Sequence, residues 1–139
     1  MKAKLVQIIP AVIALLAIGF NYFSIWCIFT NRACYGTTID HIGLSITQPA
    51  YFFALYFLIA AIIAIFIPRP VFNSWVNFSI WAVVLAIIFM ATQPVYSTQI
   101  IFATDRDSAA RLSGQIFAGI SLILIIWKSI AARRKSVKV

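Results

Sequence analysis

Residues 49–70 read PAYFFALYFLIAAIIAIFIPRP. No charged side chain lies between Pro49 and Ile67, and Pro68-Arg69-Pro70 then ends the run abruptly. About 20 apolar residues are what an α-helix needs to cross a hydrocarbon core of about 30 Å. Proline is favoured in the first helical turn, where its missing N–H has no partner to lose, and a proline pair cannot continue a helix. The stretch therefore predicts a membrane-spanning helix over 49–67 and a tight turn over 68–73.

Working outward, the same length and apolarity recur three times. Residues 74–93 predict a second span, capped by Asn73 or Ser74, carrying Trp75 at an interface and ending before Pro94. Residues 6–30 predict another, with Pro10 in its first turns and an aromatic cluster, Tyr22, Phe23, Trp26 and Phe29, towards its far end. This segment is too long for a signal peptide and has no small-x-small cleavage site, so it reads as a retained span. The last predicted span is about 108–132, with Asp107 or Ser108 as its N-cap. Its strictly apolar run, Ile116 to Trp127, is short, but helical flanks extend it and Lys128 can snorkel beside Trp127. The connections are a loop over 31–48, where Gly36 and Gly43 argue against a continuous helix, and a loop over 95–107. A basic tail over 133–139 closes the chain.

The composition agrees with a bilayer as solvent. The 139 residues are 63% hydrophobic and only 10% charged, with a mean hydropathy of +1.01, whereas soluble domains keep roughly a quarter of their residues charged. A net charge of +8 could suggest nucleic acid, but the placement of the charges excludes that reading. Lys2, Lys4, Arg69, Lys128, Arg133, Arg134, Lys135 and Lys138 fall on one side of the predicted spans. Arg32, Arg106 and Arg111 fall on the other with all three acids, Asp40, Asp105 and Asp107. This is the positive-inside pattern. The expected fold is an all-α integral membrane protein, an antiparallel four-transmembrane-helix bundle of one domain, with both termini cytoplasmic in the cell or plasma membrane.

The interiors of the first three predicted spans carry no Asp, Glu, Lys, Arg or His, which argues against proton-coupled transport. Small four-helix multidrug exporters need a membrane-embedded carboxylate, and this chain has no Glu at all. Asn21 and Asn77 remain, each suited to a hydrogen bond between helices, with Asn21 also a candidate substrate contact. Asn77-Phe78-Ser79 fits the glycosylation pattern but lies inside a predicted span near the cytoplasmic side, where it should not be modified. Ala110, Gly114 and Ala118 form a small-residue face suited to close helix packing, within one chain or between copies. Cys27 and Cys34 can form a disulfide if the chain turns soon after Cys27; an uninterrupted helix would hold them about 10 Å apart. There is no CxxC and no spaced Cys/His set, so no metal or redox site and no cofactor is expected.

The outer loops hold the chemistry-bearing residues. Asp40, His41 and Asp105 are the candidate acid–base groups, and Arg106 and Arg111 are candidate ligands for a phosphate headgroup. A solvated loop charge is the plainer alternative, and Asp107 with Arg111 is an ordinary i,i+4 pair. Thr47-Gln48-Pro49-Ala50-Tyr51 and Thr92-Gln93-Pro94-Val95-Tyr96 form a near-repeat at the outer ends of two spans. It reads as two similar interfacial boundaries, with a paired outer site as the second reading. Three functions stay open. The first is a non-enzymatic accessory or scaffolding subunit on a larger membrane partner. The second is a small oligomeric transporter, lipid flippase or channel, and the third is an outer-surface enzyme acting on lipid headgroups. The basic inner face should attract anionic lipid at about 1 kcal/mol per residue. Replacing Arg133, Arg134 and Lys135 by Ala is expected to weaken that preference and loosen the orientation. Reporter fusions and vesicle binding check it, and unchanged topology with unchanged lipid preference would refute it.

Overall fold

The computed structural model describes residues 2–30, 32, 34–95 and 105–136. Tyr96, Lys138 and most of the expected loop 95–107 lie outside the described residues. Among the described residues the chain is entirely helical apart from its connections. Helix α1 is Lys2–Ile25, prolonged by a wider π-helical turn, Trp26–Thr30. Helix α2 is Thr38–Ile65, α3 is Arg69–Ala91 and α4 is Arg106–Ser136. All four are long and apolar enough to cross a membrane.

Several boundaries differ from the sequence reading, each for a physical reason. The second helix begins at Thr38 rather than at Pro49, and it runs through a π-helical turn at Gly43–Thr47. Gly43 is helical there, with φ −52° and ψ −57°. Its lack of a side chain serves packing: a Cβ on Gly43 would stand 2.7 Å from Ser24 Oγ, so the glycine lets α1 and α2 approach. Pro10 lies well inside α1, since that helix starts at Lys2. The third helix starts at Arg69, capped by the extended residue Pro68, with Pro70 in its first turn. Ser74 therefore lies inside it, its hydroxyl donating back to the Pro70 carbonyl at 3.2 Å. Trp75 is fully buried between Phe57 and Phe72 and is a core residue, where an interfacial one was expected.

Helix α2 lies between α1 and α4, and α3 packs chiefly on α4. The register of α2 against α4 is fixed by two bonds of equal sequence separation, 59 residues. Gln48 Nε2 donates to Asp107 Oδ2 at 2.7 Å, and Gln115 Nε2 donates to the Tyr56 hydroxyl at 3.1 Å. At the other end of α2, Gln7 Nε2 of α1 donates to the Ile67 carbonyl at 3.1 Å.

Small residues make the seams. Ala60, Ala61, Ala64, Ala109 and Ala110 have no exposed surface. Helix α1 turns its small and polar residues inward (Gln7, Ala11, Ala14, Asn21, Ser24) and its large ones, such as Leu5, Leu16 and Phe20, outward. The spacing of that inward stripe is near the 3.5-residue repeat of packed helices, but its polarity is the reverse of a soluble helix. Where three helices converge, Phe117 of α4 lies 5.6 Å from Phe53 and 5.2 Å from Phe57 of α2, and 5.8 Å from Phe78 of α3, between ring centroids. Such pairs contribute about 0.5–1.5 kcal/mol each beyond the area they bury.

The small-residue face of α4 packs on α2 within the chain. Ala110 and Gly114 are buried, Ala118 is half-buried, and a Cβ on Gly114 would meet Tyr56 Cδ2 at 2.7 Å. Gly114→Leu is expected to destabilise the fold by about 1–3 kcal/mol through overpacking. Gly119→Ala meets nothing within 4 Å and should be neutral or slightly stabilising. Thermal unfolding of the two variants in detergent separates them, and equal midpoints would refute the seam.

Candidate functional site at the head of α4

Three consecutive residues, Asp105, Arg106 and Asp107, open α4, and both copies of the Thr-Gln-Pro repeat come to them. Asp105 is the N-cap, in place of the expected Asp107 or Ser108: its Oδ1 accepts the Ser108 amide at 2.7 Å, and its carbonyl accepts the Ala109 amide at 3.0 Å. A short oxygen-bearing side chain before the first helical residue satisfies donors that have no partner within the helix. The Ser108 hydroxyl and amide hold the Asp105 carboxyl below its ordinary pKa, and the nearby Arg111 charge adds to that.

Arg106 reaches both neighbouring helices. One terminal nitrogen donates to the Ser45 carbonyl of α2 at 3.0 Å, and the other donates to the Gln93 carbonyl at the end of α3 at 3.1 Å. Its backbone amide donates to the Pro94 carbonyl at 3.0 Å. Asp107 accepts from Gln48, so the glutamine of the first repeat is used through its side chain and that of the second through its backbone. In the first repeat Thr47 Oγ1 donates to Gly43 O at 2.8 Å, and in the second Thr92 Oγ1 donates to Phe89 O at 2.7 Å. The repeat thus supplies two helix boundaries that meet one segment. Gln48, Gln93 and Ser45 were not picked out as functional candidates by sequence; the repeat was the signal that could have found the two glutamines, and it does not reach Ser45.

The remaining charged candidates are placed apart in role. Asp40 Oδ2 accepts the amide of Gly36, within its own turn, at 3.1 Å. The neighbouring His41 is exposed. The Arg111 guanidinium stacks over the Phe52 ring at 3.9 Å, a cation–π contact to α2. Asp40, Asp105 and Asp107 therefore each accept a different structural donor, and none of these bonds joins a carboxylate to the imidazole. Asn21 is buried on the inward stripe of α1.

Cys27 and Cys34 are joined by a disulfide, with their Cα atoms 5.6 Å apart. Between the two cysteines Arg32 is left-handed at φ 52°, and a second turn follows the bridge, with Gly36 at φ 72° and the Thr37 amide donating to the Cys34 carbonyl at 3.1 Å. No group of His, Cys, Asp or Glu among the described residues could hold a metal ion.

Among the described residues these features define an all-helical arrangement with four helices long and apolar enough to cross a membrane, tied at one end by a polar clamp. Comparison with protein-family models, curated proteins and solved structures finds no match to the chain.

The cap has a pH consequence. The folded-state pKa of Asp105 lies below the unfolded value, so its contribution is complete above about pH 3.9. It is lost as pH falls through the lower folded value. Asp105→Ala is expected to cost about 0.5–2 kcal/mol at neutral pH. Asp105→Asn should keep the cap and flatten the acid limb of a plot of unfolding temperature against pH. An unchanged acid limb in the Asn variant would assign that loss of stability to another carboxylate.

Proposed function

We propose that the chain is an integral membrane protein, an antiparallel four-transmembrane-helix bundle with both termini cytoplasmic, that serves as a non-enzymatic accessory or scaffolding subunit of a larger membrane complex. The observation that carries this reading is the state of the outer polar groups. Arg106, Asp105 and Asp107 hold helix ends together, and Asp40 holds a turn, which favours a structural role over headgroup chemistry. Membrane placement is supported by the four apolar helices and by the large hydrophobic side chains they turn outward. Exposed apolar surface on this scale in a monomer is a sign of a lipid or protein environment. Helix α3 packs chiefly on α4, and its residues Ile80, Trp81, Leu85 and Ile88 are exposed, the surface a partner helix would cover.

A second reading, a small oligomeric transporter, lipid flippase or channel, is favoured by one feature. Gln7, Asn21 and Ser24 line the buried face of α1, and Ser24 Oγ has no hydrogen-bond partner among the described residues. Polar groups held inside a helix bundle either join helices or meet a permeant species.

Native mass spectrometry of the protein released from its own membranes in mild detergent discriminates the two. The accessory reading predicts release with a larger membrane protein at fixed stoichiometry. A homo-oligomer retaining a small molecule would overturn it in favour of transport.

A further inference from the structure

Between the first part of α2 and the end of α3 lies a cavity of about 410 Å³, which Arg106 at the head of α4 also lines. Its walls include Ile46, Pro49 and Ala50 from α2 and Ile87 and Met90 from α3, and among the described residues its one charged lining side chain is Arg106. The volume falls within the range of about 300–1,000 Å³ typical of small-molecule sites. The recorded partners of Arg106 are the neutral carbonyls of Ser45 and Gln93. Its Nε–H is buried and donates to nothing among the described residues. A buried donor on a permanent cation is costly to leave unpaired, and the guanidinium fork matches the oxygens of a phosphate.

We propose that this cavity is a binding site for one anionic phospholipid, its phosphodiester on Arg106 and the upper part of an acyl chain between Pro49 and Met90. Charge complementarity selects the headgroup, and the apolar walls select a chain-bearing molecule over a free anion. Two backbone carbonyls fix the guanidinium before the ligand arrives, so little side-chain entropy is lost on binding. The site goes beyond the accessory role and rests on the membrane placement proposed above.

The test uses the full-length protein in detergent, titrated with phosphatidylglycerol or phosphatidylcholine and read by lipid adducts in native mass spectrometry. The wild type is expected to favour phosphatidylglycerol by about tenfold, because phosphatidylcholine presents the same phosphodiester beside a quaternary ammonium that the Arg106 cation repels. Arg106→Gln should lose the one tight adduct and keep only the weaker preference that the basic inner face supplies. Because that variant also loses the clamp, Ala50→Phe serves as the second: it fills the cavity, leaves Arg106 in place and should lose the adduct while keeping its helical circular dichroism. Arg111→Gln should bind as the wild type does. The proposal is overturned if both cavity variants retain the adduct, if Arg111→Gln loses it equally, or if excess inorganic phosphate displaces the lipid. Carbonate extraction of the cell membranes separately tests the placement: release of the wild type there would sink the membrane reading, whereas firm retention with no lipid preference would sink this site alone.

Discussion

The structure depends on how closely α2 and α4 can approach. In the proposed bilayer setting an apolar side chain gains little by leaving lipid for another helix, so association must come from close contact and from hydrogen bonds between helices. Ala110 and Gly114 on α4 supply the first, with Tyr56 of α2 lying where a Gly114 side chain would be. Gln48 with Asp107 and Gln115 with Tyr56 supply the second and fix the register. Once that seam is set, Phe117 is placed to meet Phe53, Phe57 and Phe78, and α3 is held through it. Helix α1 closes on the other side of α2, where Gly43 admits Ser24.

The polar end of the bundle follows the same logic in a different chemistry. A cation held near apolar walls needs fixed acceptors, and Arg106 finds two in the carbonyls of Ser45 and Gln93. These lie where α2 has a π-helical turn and where α3 has just ended, places at which a regular helix leaves carbonyls free to accept. The clamp therefore uses the irregularities of two helices to anchor the start of a third. An Arg at this position joins elements that the sequence keeps far apart, while the exposed Arg111 stacks on the ring of Phe52.

Much of the helix content was legible in the sequence because length and apolarity are local properties. Residues 49–67 could be read as helical from composition and flanking prolines alone, and so could the helices on either side. The errors cluster at ends. Thr38 to Gln48 reads as a loop because Gly43 and several polar residues break the apolar pattern, yet it is helical, since the glycine is used for contact with α1. Trp75 reads as an interfacial residue because tryptophan often is one; Phe57 and Phe72 enclose it instead. The outer charges were found as a set, but their roles were not, because a hydrogen bond such as Gln48 to Asp107 spans 59 residues and leaves no local pattern.

By itself the sequence determined four apolar helices, their approximate limits and the sorting of basic residues between connections, since each rests on neighbours in the chain. Only the tertiary structure decided that α2 is central, that both Thr-Gln-Pro segments meet the first turn of α4, and that Arg106 faces a cavity. Those depend on which helix faces lie against one another, and in a chain apolar on nearly every face, hydrophobic pattern does not distinguish inside from outside. Close fit does, and fit is a property of pairs.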